Sequence, residues 1–185
     1  EEKGFSKSTA RNIAEAVSAN LNGQKLDKFQ EMVLDQFKDN AAVSEAVNKA
    51  ITDKAFLHML EIIKPGLCEK DLQLELDYFM LKNGATGLAF ETILAAGANG
   101  SMPHAVPSMN VIKEGDFVTM DFGAAHNGYC SDMTRTVAVG KISEEQEKVY
   151  NLVLNAQLAA IDAVKAGVPC NSIDAVARDM IYGAG

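Results

Sequence analysis

Residues 55–66 read AFLHMLEIIKPG, and residues 156–167 read AQLAAIDAVKAG. Both are amphipathic runs broken at Lys-x-Gly, and they stand 101 residues apart. The same offset carries Leu72 to Ile173, Phe79 to Met180, Met80 to Ile181 and Gly84 to Gly185. Apolar matches alone arise between any two amphipathic helices. The matched break and the matched terminal glycine point to a duplicated unit of helix, break, helix and glycine. Repeats on this scale are structural units arranged about a pseudo-symmetry axis. In the first copy, strand-like sequence follows Gly84 and runs to about Gly140, whereas the second copy reaches Gly185 where its strands are expected to begin. A second unit of equal length would end near residue 241, about fifty residues further on.

Outward from the repeat, residues 1–43 read as helix. Ile13, Val17 and Leu21 recur every four residues, and Gly23 is the expected stop. Leu26, Phe29, Met32, Val33 and Phe37 form a second stripe, ended by Asp39 and Asn40. A long helix is expected over 44–63, through Val47, Ile51, Ala55 and Ile62, stopping at Lys64-Pro65-Gly66. Another follows over 69–82, with Leu72, Leu76, Phe79 and Met80 inward and Asn83-Gly84 closing it.

After Gly84 the period changes from helical to alternating. Residues 92–96 read as a buried strand, and 97–108 as a loop rich in Gly, Asn and Pro. Residues 116–122 alternate, with Phe117, Thr119 and Asp121 on one face. Residues 128–139 read as a second strand, antiparallel to the first, with 124–127 as the turn. Ser143-Glu-Glu-Gln146 is a capping box that opens a helix to about Ala166. Residues 167–170 break it, and a last helix runs from Ser172 or Ile173 towards Gly183. The expected fold class is α+β: helix pairs packed on an antiparallel sheet over 44–185, plus an N-terminal helical segment over 1–43.

Composition narrows the partners. Hydrophobic residues make up 48% and charged residues 23% of the 185, enough for one core. Lys and Arg number 17 against 25 Asp and Glu, a net charge of −8. That balance disfavours nucleic acid and anionic membrane surfaces, which need a basic patch, and admits cations. No apolar run approaches the roughly 18–20 residues of a membrane span. The opening Glu1-Glu2-Lys3-Gly4 carries no signal-peptide pattern, and a cytoplasmic location is expected. Cys68, Cys130 and Cys170 form no CxxC and read as buried thiols in a reducing compartment.

Two carboxylates stand out. Asp121 ends an apolar strand, and Asp132 lies eleven residues on, inside the next expected strand. Antiparallel strands with a short link can set both on one sheet face. Two like charges there repel unless something positive sits between them. A divalent cation answers this, and carboxylate oxygens suit Mn, Mg, Co or Zn. The competing reading leaves Asp121 exposed at a strand end and pairs Asp132 with Arg135. His104, in Ser-Met-Pro-His-Ala-Val-Pro-Ser, sits on a loop pinned by two prolines, which suits contact with a ligand. His58 is a helix residue with no assigned role, and His126 reads as a solvent-facing turn residue. Ser101 and Ser108 flank His104 without forming a GxSxG elbow. Cys130 reads as packing beside the site.

Residues 90–108 read FETILAAGANGSMPHAVPS, 111–140 read VIKEGDFVTMDFGAAHNGYCSDMTRTVAVG, and 143–167 read SEEQEKVYNLVLNAQLAAIDAVKAG. Together these strongly resemble the pita-bread metallopeptidases, above all the Xaa-Pro aminopeptidases and Xaa-Pro dipeptidases. The Pro-His, Asp-Phe-Gly and Ser-Asp-x-Thr-Arg-Thr elements occur in order, and the resemblance covers 44–185. That fold is built from two halves about a pseudo-twofold, which agrees with the repeat. The resemblance implies that Asp121 and Asp132 are the first two ligands of a site for two divalent ions (Mn, Co or Zn). It implies that His104 contacts substrate near the scissile bond, and that the substrate is a peptide with proline in second position. In the family a water between the ions attacks the peptide carbonyl, with a later Glu as general base and ligand.

The family's third ligand is a His in a Gly-His-rich segment, and its fourth and fifth are Glu residues further on. All three belong to the second half. His126 is the last histidine, and the chain closes on Tyr182-Gly183-Ala184-Gly185, so impaired activity or none is expected. Residues 1–43 carry no resemblance and contain no His that could substitute. Two alternatives stay open. One is a non-catalytic fragment, chimera or interaction module. The other is a methionine aminopeptidase of the same fold, although the segments around His104 and Asp132 look more like the Xaa-Pro branch. A half-built sheet exposes edges and apolar surface, so an oligomer or a tendency to aggregate is expected.

Overall fold

A computed structural model describes residues 12, 13, 15–17, 19, 24–37 and 40–185. The expected stop at Gly23, Leu21 of the first stripe and Asp39 lie outside the described residues. The chain forms two compact units, one ending at Val139 and the other spanning Gly140 to Gly185.

In the first unit, helix α1 spans Lys28–Phe37 and α2 spans Ala41–Ile62. Asn40 does not end α1 but caps α2, its Oδ1 accepting from the Ala42 amide at 3.0 Å. Met32, read as part of an inward stripe, is 54% exposed. Helix α3 spans Glu69–Lys82 and is capped by Cys68, whose sulfur accepts from the Asp71 amide. Acids in its first turn and Lys82 in its last complement the helix dipole.

Strands β1 (Gly87–Leu88), β4 (Ala124–His126) and β5 (Tyr129–Cys130) form one antiparallel sheet. Strands β2 (Ile93–Ala96), β3 (Phe117–Phe122) and β6 (Met133–Ala138) form a second, in the order β2-β3-β6. Residues 97–101, expected as loop, make a 3₁₀ turn. The core packs Ile51, Ala55 and Met59 of α2 with Leu72, Leu76 and Met80 of α3 over Leu94, Val118, Met120 and Phe122. In β3 the even positions are buried, so Phe117, Thr119 and Asp121 share the other face, as the alternation required.

The expected turn at 124–127 is corrected. Residues 124–126 are strand, and the reversal falls on Asn127 and Gly128, with φ of 51° and 81°. Asn-Gly tolerates two left-handed residues in a row, which a tight hairpin turn demands. The expected strand over 128–139 is two strands, interrupted at Ser131 and Asp132.

The second unit is a helical hairpin of α4 (Glu144–Ala163) and α5 (Cys170–Gly183). The capping box forms: Ser143 Oγ accepts from the Gln146 amide, and Gln146 Oε1 accepts from the Ser143 amide. Helix α4 ends three residues before Ala166, and α5 starts two before Ser172.

The repeat is visible in backbone geometry. Helices α2 and α4 stop at Ile62 and Ala163, followed by extended residues Ile63 (φ −61°, ψ 121°) and Val164 (φ −71°, ψ 114°). Gly66 and Gly167 have φ of 95° and 85°, and Gly84 and Gly185 have φ of 105° and 111°. Helices α3 and α5 both contain 14 residues. Every one of these pairs is separated by 101 positions. The glycines recur because only glycine takes such φ without strain.

Of the cysteines, Cys68 is buried, while Cys130 and Cys170 are exposed, against the expectation that all three pack inside. Cys130 sits in a two-residue edge strand whose residues are both exposed, and Cys170 opens α5. Among the described residues, no helix is long and apolar enough to cross a membrane.

Candidate active-site cleft

Asp121 projects from the outer face of β3, where its register partners are Ile93 and Thr134. Thr134 Oγ1 donates to Asp121 Oδ1 at 2.7 Å and fixes the carboxylate's rotation. One rung along, Thr119 and Thr136 pair through their hydroxyls at 2.9 Å.

Asp132 is not inside a strand. It is the second residue of the interruption between β5 and β6, and it is exposed. The interruption is built by Gly123 on the facing segment. A Cβ at Gly123 would collide with the Ser131 carbonyl oxygen and stand 2.9 Å from Ala89 Cβ. Only glycine lets the two segments come so close. Ser131 locks the contact: its amide donates to the Ala124 carbonyl at 2.9 Å, and its Oγ accepts from the Ala124 amide at 2.9 Å. The ribbon therefore kinks between Asp121 and Asp132.

His104 lies on the loop after the 3₁₀ turn and is exposed. Asp121, Asp132 and His104 all line one open cleft of about 720 Å³. Its walls add Lys70 and Gln73 from α3, and Phe90, Glu91 and Thr92 from the segment entering β2. The proposed partner of Asp132 is engaged elsewhere: Arg135 Nη1 donates to the Thr134 carbonyl, and its guanidinium stands 5.8 Å from the Phe56 ring centre. Ser101 Oγ donates to the Ala98 carbonyl. Cys130 lines a neighbouring cleft of about 440 Å³, which also reaches Asp132. His126 is half-buried on β4, not in a turn, with Nδ1 at 3.1 Å from the Gly84 carbonyl oxygen. His58 pairs with Glu75 at 2.7 Å and stacks on Phe79.

Two carboxylates escaped the sequence reading. Glu69 is fully buried, and it accepts from the Ala96 amide (2.8 Å), Asn99 Nδ2 (3.0 Å), the Ser108 amide (3.0 Å), Ser108 Oγ (2.7 Å) and Asn110 Nδ2 (3.0 Å). Burial pushes its pKa up, but the hydrogen bonds from Asn110, Ala96 and Ser108 outweigh that and hold it below the usual glutamate value. Asp77, 9% exposed, accepts from Thr92 Oγ1 at 2.6 Å and from Gln73 Nε2 at 2.8 Å. Burial raises its pKa, against the lowering effect of Thr92, Gln73 and the Lys70 charge. Lys70 Nζ donates to Gln73 Oε1 at 2.7 Å, so a polar chain of Lys70, Gln73, Asp77 and Thr92 backs one cleft wall. An acid in a helix's first turn is so ordinary that Glu69 gave no signal. The clue was the donor-rich loop, whose Asn99, Ser108 and Asn110 need a shared acceptor.

The donor chemistry of Asp121 and Asp132, hard carboxylate oxygens on an open cleft, suits a divalent cation. Among the described residues, no cluster of three or more His, Cys, Asp or Glu side chains stands ready to hold one. Two carboxylates fit part of such a coordination shell.

The profile described as metallopeptidase family M24 matches residues 45–185. An Xaa-Pro dipeptidase of Pyrococcus furiosus is 41% identical over 145 residues, covering 76% of this chain and 42% of that protein. The structure of an Xaa-Pro dipeptidase from Bacillus anthracis superposes with a TM-score of 0.72 at 47% identity, covering 75% of this chain and 39% of that one. An X-Pro aminopeptidase from Thermotoga maritima gives a TM-score of 0.73 at 35% identity, covering all of this chain and 52% of that one. The chain thus spans about half the length, or less, of the curated relatives it matches.

Proposed function

The chain belongs to metallopeptidase family M24 and has the pita-bread fold of its structural neighbours, and on that premise we propose that its cleft serves a metal-dependent exopeptidase acting on Xaa-Pro peptides. The observation that supports this reading is one cleft lined by Asp121, Asp132 and His104, drawn from a strand, a ribbon break and a loop. The proposed limits of the metallopeptidase domain are 44–185, with helix α2 running across its start.

Asp121 and Asp132 would hold the two divalent ions, Mn, Co or Zn. Such ions, when bound, lower the pKa of water and polarise the peptide carbonyl. Asp121 enters with its rotation already set by Thr134, so little reorganisation accompanies binding. His104 donates to the carbonyl oxygen of the scissile bond as charge develops there. Glu91, Asp121 and Asp132 make the cleft acidic and attract the free amino end of a peptide, which accounts for exopeptidase action. The three thiols, free and two of them exposed, accord with the cytoplasm.

The test is release of free amino acid from an Xaa-Pro dipeptide with Mn, Co or Zn supplied, which this chain, carrying only two of the ligands, is expected to perform weakly. Asp121→Asn and Asp132→Asn are each expected to lower kcat/KM by at least about a hundredfold, since each removes a charged ligand. Metal binding by the protein without any hydrolysis would overturn the reading in favour of a non-catalytic module.

A further inference from the structure

We infer that Glu69 is a positioning residue that clasps the base of the loop presenting His104. This rests on the function proposed above for what His104 does, but the clasp itself rests on geometry. The loop leaves β2 at Ala96 and returns to α3 at Ser108 and Asn110. Glu69 Oε1 receives the Ala96 amide, Asn99 Nδ2 and Asn110 Nδ2, and Oε2 receives the Ser108 amide and hydroxyl. One carboxylate thus takes donors from the outgoing limb and from the returning limb. The first turn of α3 adds two backbone bonds to the returning limb, from the Glu69 amide to the Asn110 carbonyl and from the Lys70 amide to the Ser108 carbonyl. Beyond Asn99, the positions from Gly100 to Pro107 reach out past this clasp. They carry His104, exposed on the cleft, with buried Ala105 beside it turned back on the Met102 carbonyl.

The chemistry favours a clasp over incidental burial. A carboxylate removed from water is costly unless its lone pairs are filled, and here both oxygens are filled by donors of the loop. An amide in its place would turn an N–H towards Ser108 or Asn99, both already donors. The loop base would open while the core, which Glu69's side chain does not build, stays closed. Displacing a catalytic group by about an ångström costs up to a hundredfold in rate.

Glu69→Gln and Asn99→Ala provide the test, the second removing one arm and leaving the carboxylate with its other partners. In both, amide hydrogen exchange over 97–110 is expected to quicken at least about tenfold, and in Asn99→Ala that of Leu94, Val118 and Met120 to stay unchanged. The His104 imidazole resonances are expected to broaden or split, and kcat for the Xaa-Pro peptide to fall further than KM rises. Unchanged loop exchange and a single sharp His104 signal in folded Asn99→Ala would overturn the clasp. Absence of hydrolysis by the unaltered protein would sink the functional reading alone, because exchange and imidazole signals still decide on Glu69.

Discussion

Glu69 and Asp77 are both buried acids one helix face apart, yet they answer pH in opposite senses. Glu69 has its pKa lowered in the fold, so its stabilisation is present above the ordinary glutamate value and is lost as pH falls through the native one. Asp77 has its pKa raised, so the native state prefers the proton and stability is lost as pH rises through that higher value. In acid the two partly offset. Thermal unfolding between about pH 3 and pH 6 is therefore expected to give three slopes. Asp77→Asn should lose stability in acid more steeply than the unaltered protein, and Glu69→Gln less steeply. Identical slopes in all three would contradict the assignment of both groups. At neutral pH Glu69→Gln should cost about 3 kcal/mol, since it leaves buried donors unmatched.

At the scale of elements, the decisive device is the kink between β3–β6 and β4–β5. Its cause is steric, at Gly123, and its lock is Ser131. Gly123→Ala is expected to destabilise by about 3 kcal/mol in urea unfolding, because backbone oxygen cannot retreat as a flexible side chain can. A change within about 0.5 kcal/mol would mean the segments are free to separate. This kink also marks the limit of what the sequence disclosed. Helices α3 and α4, the strand alternation around Asp121, the capping box and the 101-residue repeat were legible, because periodicity, caps and left-handed glycines are local signals. The charge of Asp132 is legible in the sequence, but its place outside a strand is not, since a strand interruption set by a facing glycine is a tertiary fact. Asp77 and Glu69 gave no signal at all: their partners Thr92 and Asn110 lie 15 and 41 positions away, and only folding brings them together.

The whole molecule holds two units of different character. The first has a core of its own, sealed between α2, α3 and two sheets. The second is a single hairpin on which Ala156 alone is fully buried, while Val149, Val153, Leu158, Ile161 and Val164 are each at least half exposed. Apolar surface of that kind drives association. Light scattering is expected to show mass rising with concentration, and Leu158→Glu with Ile161→Glu to suppress the rise. A concentration-independent monomer before any substitution would refute this.

The hairpin and the clasped loop also set a timetable. Helices α4 and α5 meet across only residues 164–169, so their contacts close in microseconds. The first unit must wait for distant partners: the Asn48 side chain donates to the Tyr129 carbonyl across 81 positions, and Glu69 reaches Asn110 across 41. Loop closure over such spans is the slow part of folding. The cleft, walled by Lys70 and Gln73 as well as by Asp121, Asp132 and His104, is not complete until the closure between Glu69 and Asn110 is made.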